Sequence, residues 1–215
     1  MTPSRVRRDS AEAQDELRRA AIDAALLLFA GGGLGAVSMR AVAQACGVTP
    51  MALYRYFDGK DELLLALWDH VLQGLAQALA ASDQAASSAA ARMRSSLRVF
   101  IVHWEHNPEH YKLVFSGGSA LVGSDPRVTG GPVYQGLLAS SAALLRDYAR
   151  EQGLPEDHVL LARDLRHAMV MGYLHARLVN LRYPWSNLDA LREATIDAVL
   201  LAVTACLRGP ASMGA

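Results

Sequence analysis

Apolar positions along this chain recur at helical spacing. Ile22, Ala25, Leu26 and Phe29 fall at i, i+3, i+4 and i+7 within a segment running from about Ser10 to Ala30. Leu64, Leu67, Trp68, Val71, Leu75 and Leu79 form a second stripe on a segment from Asp58 to about Ala81. Between them lie two short segments. Ser38 caps the first, over 39–46, with Val42 and Cys46 inward and Gly47 as its stop. Thr49 caps the second, which carries Pro50 at its first position and ends near Phe57. Further helices are expected at about 91–106, 108–115, 132–151, 156–182 and 187–207, with Asn107-Pro108, Gly153, Tyr183-Pro184 and Gly209-Pro210 as punctuation. Residues 82–90 read as a loop, and 116–131, with five glycines and one proline, as the longest irregular stretch. Gly31-Gly32-Gly33 reads as a helix stop: no strand precedes it and no Lys-Ser/Thr follows, as a phosphate loop would require. The fold class is all-α, about nine helices, without an internal repeat.

Composition narrows this picture. Ala and Leu dominate, which favours helix, and a hydrophobic fraction of 52% is enough for a packed core. The 21 basic and 21 acidic residues cancel, so overall charge announces no nucleic-acid binder. Residues 1–60, however, hold eight Lys/Arg against six Asp/Glu. The start reads as a mobile basic arm around Arg5, Arg7 and Arg8, either solvated or reaching a DNA minor groove. Cys46 and Cys206 lie in different expected domains without metal-type spacing, and both read as small core residues of a reducing cytoplasm. No signal peptide fits the start, and no run reaches the roughly 18 apolar residues that span a bilayer. The expectation is a cytoplasmic protein with no membrane partner.

The stretch Val37 to Leu63 is the most informative. It comprises two short helices joined at a glycine, the second started by proline. Val42, Val48, Leu53 and Phe57 would pack on Ile22, Leu26 and Phe29, leaving Thr49, Pro50, Met51, Tyr54 and Tyr56 partly outward. A helix so presented fits a major groove about 12 Å wide. Gly47-Val48-Thr49, Leu53-Tyr54-Arg55-Tyr56-Phe57 and Lys60-Asp61-Glu62-Leu63 closely resemble the TetR/AcrR family of bacterial regulators, over residues 17–70. The resemblance implies a helix-turn-helix DNA-binding domain over 1–60 and a helical ligand-binding and dimerisation domain over 61–215. It also implies roles. Ser38 would cap and touch phosphate, beside Met39. Arg40 would reach a base edge or phosphate. Thr49, Pro50 and Met51 would face bases, Tyr54 and Tyr56 would donate hydroxyls to phosphates, and Lys60 would pair with a phosphate. The implied partners are double-stranded operator DNA, a small-molecule effector and a second copy of the chain.

The C-terminal part carries two further patterns. Ala168, Gly172 and Ala176 repeat at i, i+4, i+8, and Ala190, Ala194, Ala198 and Ala202 do the same. Such rows let another helix approach closely, either within the chain or across a two-fold dimer, and the resemblance favours the dimer. His175 beside Ala176 echoes a His-Gly pair of the family. Phe100, Trp104, Tyr111, Phe115, Tyr134, Met169 and Tyr173 are either core or the wall of a ligand cavity, with His103, Arg166 and His175 as candidate polar handles.

Catalytic and cofactor chemistry lacks its reagents. His103 and His106 share a helical face, but Asn107-Pro108 breaks the helix before His110, so no metal site is expected. A di-iron bundle needs two Glu-x-x-His motifs; the chain has only Asp164-x-x-His167. There is no Gly-x-Ser-x-Gly elbow. No enzyme and no cofactor is expected.

Overall fold

The computed structural model describes residues 3–83, 87–117 and 126–209, and their side chains except those of 3–14, 116–117 and 128. Every regular element among these residues is helical. The order is α1 (Pro3–Ala36), α2 (Met39–Ala45), α3 (Pro50–Leu53), α4 (Lys60–Asp83), α5 (Ala89–His106), α6 (Pro108–Lys112) with a π-helical turn at Leu113–Gly117, α7 (Pro126–Gly130), α8 (Pro132–Glu151), α9 (Val159–Leu178) and α10 (Leu188–Arg208). The element beyond the expected nine is α7, one turn opened by Pro126 inside the stretch read as irregular.

The chain forms two compact units. One comprises residues 1–72 and 109–131, the other 73–108 and 132–215. In the first, α1 packs on α2 and α2 on α3. Its core is Ala21, Ile22, Ala25 and Phe29 of α1 with Val42, Leu53, Phe57, Leu63 and Leu67, each at most 5% exposed. Leu26, expected in this core, is only half-buried, while Ala21 is fully buried. The Arg18 guanidinium lies 5.7 Å from the centre of the Phe57 ring.

The glycine triplet stops the first helical run of α1 as expected: Gly32 and Gly33 leave helical geometry before the turn that ends at Ala36. A Cβ on Gly32 would stand 2.8 Å from that of Ala36, and Gly33 has φ +64°, so both positions require glycine. At the other end the backbone is already helical from Pro3, where an arm was expected; the side chains of Arg5, Arg7 and Arg8 lie outside the described set.

In the second unit α5, α8, α9 and α10 pack around Met93, Leu97, Ile101, Trp104, Leu145, Leu174, Ile196 and Val203. Polar contacts tie the bundle across long sequence separations. Ser88 Oγ accepts from Ala91 N at 3.1 Å, and the Glu151 carboxylate accepts from Ala89 N and Ala90 N, so α8 helps cap α5. Arg92 pairs with Asp147 at 3.0 Å, and Tyr148 shares a hydrogen bond with Thr204 at 2.7 Å. Arg94 pairs with Asp197 and Arg98 with Glu193 on the surface.

Two helical segments, Asp15–Ala36 and Lys60–Asp83, are long and apolar enough to cross a bilayer by length and composition alone. This corrects the expectation that no stretch reaches that size. Each turns its apolar stripe into a core, with Asp23 or Asp61 exposed, the amphipathic habit of a helix packed on one side.

Candidate nucleic-acid interface

The turn between α2 and α3 is a Schellman closure. Gly47 sits at φ +67°, its N–H donates to Gln44 O at 3.1 Å, and Val48 N–H donates to Ala43 O at 2.9 Å. Ala43 is fully buried, so α2 lies close against its neighbours at that point. Ser38 caps α2 as expected, its Oγ accepting from Ala41 N at 3.1 Å. Thr49 takes the cap position of α3 with extended backbone, but its side chain makes no capping hydrogen bond. The N3 amide it would serve, Ala52 N, donates to the Thr49 carbonyl at 3.0 Å. The expected helix to Phe57 is shorter too: it ends at Leu53, after which Tyr56 N and Phe57 N both donate to Leu53 O.

This geometry divides the motif by exposure. Val42, Leu53 and Phe57 anchor it from below. Arg40, Thr49, Pro50, Met51 and Tyr54 are exposed, Met51 at 74% and Tyr54 at 50%. Tyr56 is half-buried, and Met39 is buried at the base of α2 rather than presented. Gln44, one turn beyond Arg40 on α2, and Arg55 join the exposed face; helical spacing from Arg40 is the signal that finds Gln44. Lys60 is half-buried, and its Nζ donates to Leu34 O at 3.0 Å. An apolar side chain held out to solvent beside hydroxyls and a guanidinium is what a surface that reads base edges needs.

Residues 21–67 match the family described as bacterial regulatory proteins, tetR family. That match is confined to the helix-turn-helix segment, which is similar to the DNA-binding segment of that family. Among curated relatives, the transcriptional activator FasR of Mycolicibacterium smegmatis is 31% identical over 113 residues, 51% of this chain and 50% of FasR. The transcriptional repressor KstR of Rhodococcus jostii is 47% identical over 57 residues, 26% of this chain and 27% of KstR. The chain thus spans half the length of these relatives or less. The fold likeness extends further. The fatty acid degradation regulator FadR from Bacillus halodurans superposes with TM-score 0.70 at 18% identity, over 85% of this chain and 94% of that one. A TetR-family regulator from Marinobacter aquaeolei does so with TM-score 0.67 at 19% identity, over 89% and 97%. These relatives and fold neighbours are regulators, not enzymes.

The expected effector residues are distributed over both units. Phe100, His103 and Trp104 meet on α5: the Trp104 ring is 6.1 Å from Phe100 and 5.1 Å from His103, both edge-on. Arg166 and Tyr173 are buried on α9, while Met169 and Tyr134 are half-buried. The Tyr173 hydroxyl donates to Glu105 at 2.7 Å, and burial with that bond holds its pKa well above the usual range. Tyr111 and Phe115, 5.0 Å apart, belong to the other unit.

The small-residue stripes are surface features of the single chain. Ala168, Gly172 and His175 on α9 and Ala190, Ala194 and Ala198 on α10 are exposed; Ala176 and Ala202 are half-buried. Leu161 (59% exposed) and Leu201 (73% exposed) lie along the same faces. The two helices pack on each other through different residues, Val170 and Leu174 of α9 and Val199 and Val203 of α10 among them.

Proposed function

We propose that this chain is a ligand-responsive transcriptional repressor that binds a palindromic operator as a homodimer. Residues 1–60 read the DNA, and 61–215 sense an apolar or aromatic small molecule and dimerise. It works in the cytoplasm, on double-stranded DNA, with neither membrane nor cofactor involved. The observation that carries this reading is the exposed set Arg40, Thr49, Pro50, Met51 and Tyr54 on a glycine-closed helix pair whose other faces are buried. Ser38, Tyr56 and Lys60 flank this set as phosphate contacts, and Met39 supports it from the core.

The uncovered rows on α9 and α10, edged by Leu161 and Leu201, support a dimer, since apolar faces of that kind are usually buried against a partner. A two-fold dimer needs half-sites about one helical turn apart, or a small multiple. Phe100, His103, Trp104, Tyr134, Arg166, Met169 and Tyr173, all of the second unit, supply the effector site.

The test is fluorescence anisotropy with duplexes selected from a random pool, followed by a reporter driven by an operator-bearing promoter. Selective binding with reduced reporter output supports repression. Selective binding with raised output makes the chain an activator, as FasR is. Binding no tighter than to random duplex removes the proposal.

A further inference from the structure

Among the described residues, Arg166 is the buried charged residue, and no opposite charge pairs with it. Glu105 shows the ordinary arrangement: its carboxylate, 9% exposed, accepts from Arg192 Nε at 3.0 Å, with Arg177 Nε at 3.8 Å. Arg166 is equally buried, at 9% exposed, where α5, α8 and α9 converge. Among the described residues its guanidinium donates to two hydroxyls, Ser141 Oγ at 2.9 Å and Ser96 Oγ at 3.3 Å. Ser96 in turn donates to Met93 O at 3.0 Å. No carboxylate among the described residues pairs with Arg166. Burial pushes its pKa down to about 10, so the charge persists at neutral pH. A guanidinium carries five N–H donors, and two serines leave three uncommitted. An isolated buried cation costs several kcal/mol unless something repays it.

We propose that Arg166 is the anchor for a monoanionic organic acid, a single carboxylate on an apolar body, held by the guanidinium fork with Ser96 and Ser141 beside it. Planar two-point pairing of guanidinium with carboxylate suits the free donors. A single guanidinium fork matches one carboxylate. On α9, Ala162 and Val170 stand one turn either side of Arg166 and are buried, as is Leu97, next to Ser96 on α5. Ser141 is half-buried, so the guanidinium lies one hydroxyl away from solvent. This assignment rests on the reading of the second unit as a sensor and names the class of molecule it senses.

The experiment uses the full chain, with sodium octanoate and sodium phenylacetate as probes and octanamide and phenylacetamide as neutral matches. At least one carboxylate should raise Tm by roughly 5 °C at saturation, its amide should not, and Arg166→Met should abolish the shift. Probe-free Arg166→Met should also melt higher than the parent, since it removes an uncompensated charge at similar volume; an arginine that only holds helices together would melt lower when replaced. A lower probe-free Tm, an equal shift from the amide, a shift retained in Arg166→Met, or no shift from either carboxylate overturns the assignment. Shifts from amides that release operator leave the sensor reading intact while removing the acid. Arg166-dependent binding of a carboxylate without any change in operator affinity keeps the acid site and removes the sensor.

Discussion

Lys60 Nζ donates to the carbonyl oxygen of Leu34 at 3.0 Å, so the first residue of α4 closes the chain just past the break in α1. An ammonium has three donors, and this contact uses one, leaving the others for a phosphate. Lys60→Met should therefore do two things. It should cost about 1 kcal/mol of stability from the lost half-buried hydrogen bond, measured by urea denaturation. It should also weaken binding to all duplexes alike and reduce the salt slope by about one. A stability loss with an unchanged slope would restrict Lys60 to its fold role.

Tyr54 and Met51 stand at the opposite extreme, touching solvent rather than core. Tyr54→Phe should leave the melting curve within about 0.5 kcal/mol of the parent and lower affinity for operator and random duplex about tenfold, by removing one hydroxyl bond to a charged phosphate. Met51→Ala should lower operator affinity and spare random duplex, because base contacts alone carry sequence. Anisotropy titrations on the two duplexes separate these cases. Equal losses for Met51→Ala on both would take it off the base-reading surface.

Gly47, at φ +67°, meets nothing within 4 Å of where a Cβ would stand. Its replacement by Ala should thus cost only backbone conformation, about 1–2 kcal/mol, seen as a lower urea midpoint. Gly172 is helical with equally open space, so Gly172→Ala should stabilise the isolated subunit by about 1 kcal/mol. Ala198→Trp, on the exposed row of α10, should leave the subunit folded but yield monomers by light scattering and abolish tight operator binding. A folded dimer of Ala198→Trp would move the interface elsewhere.

Glu105→Gln should strip two guanidiniums and a tyrosine of their shared carboxylate. Because Arg177 and Arg192 are 35% and 21% exposed, water recovers part of the loss, and a cost of about 2 kcal/mol is expected in thermal or urea unfolding. No measurable change would mean that the apolar contacts of α5, α9 and α10 suffice alone.

Local chemistry made much of this legible from sequence. Ser38 as cap, Gly47 as stop and Pro50 as first residue act through neighbours a few positions away, and all three take those places. So do Ile22, Ala25 and Phe29 as core. What escaped depends on distant partners. Thr49 makes no side-chain cap bond, and Ala52 N donates to the Thr49 carbonyl instead. Glu151 reaches the start of α5 from more than sixty residues away. The isolation of Arg166 emerges only when three helices surround it with serines instead of acids. The small-residue rows fit either an internal or an external neighbour by spacing alone; in the single chain they are mostly exposed.

The central claim is that the exposed face of α2 and α3 reads a two-fold operator. Its most direct test is selection of bound duplexes from a random pool, with the winning site titrated by anisotropy across a salt series. The account predicts palindromic or pseudo-palindromic sites with half-sites about one helical turn or a small multiple apart, bound by two chains, at least about 10³ tighter than random duplex, with log affinity falling linearly against log salt. Recovery of only single asymmetric half-sites, or no enrichment over random duplex, would contradict it.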